Sequence, residues 1–167
     1  MKKYLTLICF AFILCASYAQ KNDTLLDYSM QLISQQEFKK AIPYLKTYNQ
    51  HHPKNLNAKL QLAFCLTQTG QLDKSINLYQ DILSVRPGYH RAYYMLANLY
   101  MQKSQLEKAL SFSNKALEFE NNQPDYLLVK AQILRRQGDI KGACRYYKKA
   151  KRKGSSEAKY SLDKYCK

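Results

Sequence analysis

The sequence predicts an all-α protein, a solenoid of four antiparallel helix pairs followed by a C-terminal capping helix. A period of 34 residues runs without a gap through four units: 22–55, 56–89, 90–123 and 124–157. Each unit contains two stretches with apolar residues at helical spacing, separated by a short turn. A repeated helix, turn and helix of this length indicates units that stack on one another and share a core.

Two places in each unit carry only small side chains. We expect the two helices of a unit to approach most closely there, because larger groups would hold the backbones apart. The eighth place is occupied by Ser29, Ala63, Ala97 and Ala131, and the twentieth by Ala41, Ser75, Ala109 and Ala143.

Glycine and proline mark the turns. Gly70 and Gly138 lie between the two helices of their units, at a place that suits a positive φ. Pro53 and Pro87 close the first and second units, where they are expected to stop one helix and precede the next.

These features resemble the tetratricopeptide repeat family over residues 22–157. The family pattern W-x-x-L-G-x-x-Y, then A-x-x-x-F, then P is met in part: the chain has no tryptophan, Lys130 occupies an apolar place, and Asn121 replaces the closing proline of the third unit. The resemblance implies a right-handed superhelix that binds a protein or peptide, without a cofactor or small-molecule substrate. The alternative is an ordinary helical bundle, which would show no fixed period.

By the same resemblance, one face of each first helix lines a concave groove. Arginine, aromatic, methionine and amide side chains there are of the kinds enriched in protein-binding surfaces. The family's clamp for a terminal carboxylate is missing, since only Arg91 fits its pattern. The alternative for this face is part core and part ordinary surface. The candidate partner-binding residues are Asn57, Gln61, Phe64, Arg91, Tyr94, Met95, Asn98, Met101, Gln132 and Arg135.

The first 19 residues have the layout of a secretory signal. Lys2 and Lys3 precede a short apolar run, and small residues lead to an expected cleavage after Ala19. An uncleaved anchor is the alternative, and Leu14 before Cys15 argues against a lipoprotein. The expected location is therefore the periplasm or the cell surface. The chain is also similar in composition to exported proteins of Bacteroidetes-type bacteria.

The basic charge is concentrated near the C-terminus. Thirteen of the 27 basic residues, but only three acidic ones, lie in residues 130–167 of a chain whose net charge is +15. Export argues against nucleic acid as the partner. The charge would then favour anionic lipid, lipopolysaccharide or an acidic protein as the partner. The alternative is that these residues form an ordinary solvated helix face, which binds no partner. The candidate anion-binding residues are Arg145, Lys148, Lys149, Lys151, Arg152 and Lys153.

The C-terminal end is similar to a Sel1-like final unit closed by a Tyr-Cys pair. A capping segment is expected over residues 156–167, with its helical stretch at 156–165. Cys144 and Cys166 would then lie on neighbouring helices, where an oxidising compartment would favour a disulfide. Two free thiols or a metal pair remain as alternatives, and Cys65 is expected to be a buried apolar residue.

The sequence contains no pattern that predicts catalysis. The adjacent histidines His51 and His52 lack further ligands at metal-binding spacing, and no phosphate loop, nucleophile elbow or paired carboxylates occur. We therefore expect a monomeric, non-catalytic scaffold without metal or cofactor.

Overall fold

The structure, a computed structural model, describes residues 24–166, all of whose regular elements are helices. The predicted signal segment, residues 1–19, lies outside this range. No helix in the described part is long and apolar enough to cross a membrane. The helices are α1 (24–34), α2 (Phe38–His51), α3 (Leu56–Gln68), α4 (Leu72–Val85), α5 (His90–Gln102), α6 (Leu106–Phe119), α7 (Pro124–Arg136), α8 (Ile140–Arg152) and α9 (Ser156–Tyr165).

The helices follow the period of the sequence. The first helices of successive hairpins, α3, α5 and α7, begin at Leu56, His90 and Pro124, and the second helices α2, α4, α6 and α8 keep the same spacing. This regularity confirms the predicted all-α repeat fold and is not expected of an ordinary bundle.

The chain forms two compact units. These compact units are larger than the 34-residue repeats: unit 1 ends at Leu78 and unit 2 begins at Tyr79. The boundary between them lies within α4. The core of unit 1 is built from α1, α2 and α3 and includes Leu45, Leu66 and the buried Cys65. Unit 2 contains α5 to α9 and holds most of the candidate site residues.

The small places of the repeat are buried, as predicted. All eight residues at the eighth and twentieth places have a relative exposure of 1% or less. In the α3–α4 hairpin the Ser75 hydroxyl donates a hydrogen bond to the carbonyl of Ala63 at 2.7 Å, which spans the two places directly. A larger side chain at either place would separate the helices of its hairpin.

All four turns within the hairpins share one conformation. The positive φ predicted for Gly70 and Gly138 is present, at 76° and 88°, and Gln36 and Ser104 adopt the same region at 60° and 57°. The residue after each of these four donates its N–H to a carbonyl five residues earlier, at 2.8 to 2.9 Å. This hydrogen bond gives a donor to a carbonyl near the end of the first helix that has no partner within the helix.

The last helix covers the end of unit 2. Ala158 of α9 is fully buried in a cluster with Ala150 and Tyr147 of α8. A disulfide joins Cys144 of α8 to Cys166 just after α9, with Cα atoms 5.7 Å apart. The sequence predicted a capping helix in this segment, and the disulfide was one of the alternatives that it left open for these two cysteines. The helix and the disulfide fix the last element to the repeat before it.

Candidate partner-binding face

The first helices of unit 2 present their side chains on one common face. Arg136 of α7 donates a hydrogen bond to the Met101 carbonyl of α5 at 3.0 Å, and the Gln132 amide donates to the Glu157 carboxylate of α9 at 2.8 Å. We call this surface the A-face. It is formed by Arg91, Tyr94, Met95, Asn98, Met101, Tyr126, Gln132, Arg135, Glu157 and Tyr165.

One end of the A-face is built from aromatic rings. Tyr94 of α5 stacks on Tyr126 of α7 with ring centroids 4.8 Å apart. The Tyr126 hydroxyl is hydrogen-bonded to Nδ1 of His90 at 2.8 Å. Asn98 donates its side-chain amide to the Tyr94 carbonyl at 3.0 Å, which holds this amide beside the rings. These contacts fix the aromatic end before any partner arrives.

The tyrosines at this end resist ionisation. Burial raises the pKa of Tyr126 to about 12. Burial, followed by the negative charge of Asp125, also raises the pKa of Tyr94. Both phenols therefore stay neutral to a higher pH than an exposed tyrosine does.

The other end of the A-face contains a half-open cavity of about 350 Å³ between α5, α7 and α9. Met101, Gln132, Glu157 and Tyr165 contribute to its wall, and the Arg135 guanidinium lies over the Tyr165 ring at 4.5 Å. The buried Nε of Arg135 has no hydrogen-bond acceptor. An arginine held on an aromatic ring with a donor left over can bind a carbonyl or carboxylate oxygen.

The structure brings the predicted residues of unit 2 together on this face. Arg91 is exposed, and Tyr94, Met95, Asn98, Gln132 and Arg135 are half-buried. Met101 is more buried than a contact residue should be, with a relative exposure of 9%, because its helix packs against α7. It still lines the cavity.

The predicted residues of unit 1 lie on α3. Asn57 is exposed and Gln61 is half-buried. The ring of Phe64 is packed edge to face on Phe38, with centroids 5.5 Å apart, so this side chain also supports the hairpin core.

Sequence reasoning missed Tyr126 as a site residue. The third place of the second and third repeats is Ala58 and Ala92, both fully buried, and the fourth repeat has Tyr126 there instead. A tyrosine at a place that holds alanine in the two preceding repeats was a usable signal. Glu157 and Tyr165 were also missed, because α9 falls outside the regular period.

The predicted basic residues lie on α8 and at its C-terminal cap. All six, Arg145, Lys148, Lys149, Lys151, Arg152 and Lys153, are exposed. Lys149 lies 5.1 Å from the centroid of the Tyr146 ring. Within residues 24–166 no group of three or more His, Cys, Asp or Glu side chains is arranged to hold a metal ion.

The fold is similar to that of solved repeat proteins. MamA from Desulfovibrio magneticus RS-1 superimposes with a TM-score of 0.73 at 20% identity, over 85% of this chain and 77% of that one. A tetratricopeptide repeat protein from Parabacteroides merdae gives a TM-score of 0.73 at 19% identity, over 83% of this chain and 56% of that one. At these identities the likeness concerns the fold.

A curated relative shares part of the sequence. The probable biofilm formation methyltransferase WspC of Pseudomonas putida is 34% identical over 89 residues, which is 53% of this chain. The chain spans about a fifth of that protein's length, since the match covers 21% of it.

Family models described as tetratricopeptide repeat match most of the repeat region. The matched ranges are residues 32–84, 70–133 and 124–152. Proteins of this family are generally non-catalytic scaffolds for protein–protein interaction, with extended surfaces formed by stacked helices. This chain therefore belongs to the tetratricopeptide repeat family.

Proposed function

We propose that this protein is a non-catalytic scaffold whose A-face binds a segment of a partner protein. The observation that carries the proposal is Arg135, whose buried Nε lacks an acceptor beside a cavity of about 350 Å³. A buried donor without a partner is costly, and rotation of the guanidinium toward the cavity would let a carbonyl or carboxylate of a bound segment accept a hydrogen bond from it.

The composition of the A-face supports a protein partner. Tyrosine, arginine and methionine are enriched where proteins bind one another, and energetically dominant contacts are most often aromatic or arginine. Tyr94 and Tyr126 are already stacked, and Arg135 is already placed over Tyr165. Side chains held in place before binding lose less conformational entropy when the partner docks.

The proposal is tested by crosslinked pull-down from the native cell extract, read by mass spectrometry. Tyr94→Ala and Arg135→Gln should each remove a specific set of captured proteins. Charge reversal at Lys148, Lys149 and Arg152 on α8 is the matched control and should leave that set unchanged. Asn57→Ala with Gln61→Ala tests whether unit 1 also contributes.

The alternative function is attachment to an anionic envelope surface through the basic C-terminal third. Six exposed cations along α8 favour it. In that case the outcomes invert: charge reversal on α8 abolishes association, and association weakens steeply with salt because exposed charges are screened. The A-face variants would then behave like the unmodified protein.

Export to the periplasm or cell surface as a monomer is part of the proposal. The signal-like first 19 residues support it, and so does a disulfide between Cys144 and Cys166, since disulfides persist in oxidising compartments. Cell fractionation with mass determination of the N-terminus tests export and cleavage after Ala19. A cytosolic chain that retains Met1 would refute export, and light scattering tests the monomer.

A further inference from the structure

A second cavity lies between α6, α7 and α8, with a volume of about 650 Å³. Its lining includes four cationic side chains and no carboxylate. None of its residues belongs to the A-face. The lining is formed by Leu117, Asn121, Asn122, Leu127, Lys130, Tyr146, Lys149, Arg152 and Lys153.

Two departures from the repeat pattern meet in this cavity. The seventh place of the second and third repeats is Leu62 and Leu96, both buried, but the fourth has Lys130. The closing place of the first two repeats is proline, but the third has Asn121. Neither lysine at the seventh place nor asparagine at the closing place is needed for helix packing or for the turn. Both residues place a polar group against the same cavity.

The pair of cations on α8 is also particular to the last repeat. The places of Lys149 and Arg152 hold Asp81 and Ser84 in the second repeat and Lys115 and Glu118 in the third, so only the last repeat has a cation at both places. A cation in the last turn of a helix is stabilised by its free carbonyls. That effect accounts for an exposed residue such as Lys151 and leaves Lys130 of α7 unexplained.

The geometry concentrates positive charge on one ring. The ammonium nitrogens of Lys130 and Lys149 lie 4.4 and 5.1 Å from the centroid of Tyr146. A hydrogen bond from Lys130 lowers the pKa of Tyr146, which is the response expected of a phenol in a positive field. Two like charges on one ring repel each other, and a bound anion would offset that repulsion.

We propose that this cavity binds a phosphate-bearing molecule, either a soluble organic phosphate or a phospholipid headgroup, held by Lys130, Lys149 and Arg152. Arginine can bind phosphate oxygens in bidentate fashion, while lysine supplies a point charge. Asn121 and Asn122 offer amide donors, and Leu117 and Leu127 give an apolar wall for the organic part. The volume lies within the usual range for small-molecule sites.

Calorimetry with glycerol phosphate and pyrophosphate tests the soluble source, with glycerol as the uncharged control. Co-sedimentation with phosphatidylcholine vesicles, with or without phosphatidylglycerol, tests the lipid source. Lys130→Leu restores the leucine found at this place in the second and third repeats, so this variant is expected to fold. It should weaken binding about tenfold, the loss expected for one charge-assisted hydrogen bond.

Lys149→Gln with Arg152→Gln should also weaken binding. Lys141→Gln with Lys159→Gln removes the same charge from exposed positions outside the cavity and should not weaken binding. Binding of either soluble probe or of anionic vesicles with this variant pattern supports the proposal and identifies the source. Equal weakening by the control pair shows diffuse attraction and overturns it, as does the absence of binding to every probe.

Discussion

Single residues set the geometry of each hairpin turn. The place between the two helices has a positive φ in all four repeats, although only Gly70 and Gly138 are glycine. Glycine adopts this conformation without steric cost, whereas an L side chain is strained there. The sequence therefore predicted a positive φ in two of the four turns. It did not predict the positive φ of Gln36 and Ser104, because the helices on either side impose this conformation on them.

Exchanging residues at this place should change stability in opposite directions. Ser104→Gly removes the strain of the left-handed conformation and should raise the free energy of unfolding by about 0.5–1 kcal/mol. Gly138→Ala introduces that strain and should lower the free energy of unfolding by about 1 kcal/mol. A Cβ at Gly138 would meet no atom within 4 Å, so the loss would come from the backbone conformation and not from a clash. Urea denaturation measures both.

Gly88→Ala is the matched control for the turn variants. Gly88 is not in the positive-φ region, and a Cβ there would contact Phe119 at an ordinary 3.9 Å. This change should be neutral or slightly stabilising because it restricts the unfolded chain. A loss of stability in Ser104→Gly would contradict the strain argument.

The buried phenol of Tyr126 should make stability depend on alkaline pH. In the unfolded chain a tyrosine ionises near pH 10, whereas burial raises the pKa of Tyr126 to about 12 in the folded protein. The unfolded state therefore releases a proton first, and stability should fall as pH rises from about 10 to about 12. Tyr126→Phe should lose this part of the fall.

At neutral pH the same substitution removes the hydrogen bond to His90, which should cost about 1 kcal/mol. The difference between the two proteins should thus shrink as pH rises. Tyr160→Phe, at a side chain 64% exposed, is the control and should follow the unmodified protein. Parallel stability curves for Tyr126→Phe and the unmodified protein would refute the argument.

The positions of the helices were the feature of this structure that the sequence predicted best. The 34-residue period located the starts of α3, α5 and α7 because small and large residues recur in the same order in every unit. The contacts of α9 were less predictable. The sequence did not predict that the Tyr165 ring lies under the Arg135 guanidinium, because this helix lies outside the period and its register could not be inferred from the other repeats.

The disulfide should stabilise the last element. Cys144 and Cys166 are 22 residues apart, and a closed loop of this length contributes about 3 kcal/mol in the chain-entropy model. Reduction, or Cys166→Ser, should lower the free energy of unfolding by about that amount. The double variant Cys144→Ala with Cys166→Ala should be insensitive to reductant. In protein that begins at Gln20, whose cysteines are Cys65, Cys144 and Cys166, three titratable thiols after unfolding without reductant would contradict the pairing.

At the scale of the whole molecule, the two proposed binding surfaces differ in kind. The A-face carries stacked aromatics and arginine, and the cavity of α6, α7 and α8 carries lysines around a tyrosine. The sequence indicated the A-face because the repeat fixes which residues of a first helix share a side. It did not indicate the cavity, because Lys130 comes from one helix and Lys149 from another, and only packing brings both to Tyr146.

The two surfaces should act independently although both use α7. At roughly 100° per residue, Lys130 and Gln132 point to nearly opposite sides of this helix, so a change at one should not disturb the other. Lys130→Leu should weaken phosphate binding and leave partner capture intact, whereas Arg135→Gln should do the reverse. In the double variant the losses should add within about 0.5 kcal/mol, as for sites without shared contacts. Titration of both ligands against all four proteins measures this, and loss of partner binding in Lys130→Leu would show that the surfaces are coupled.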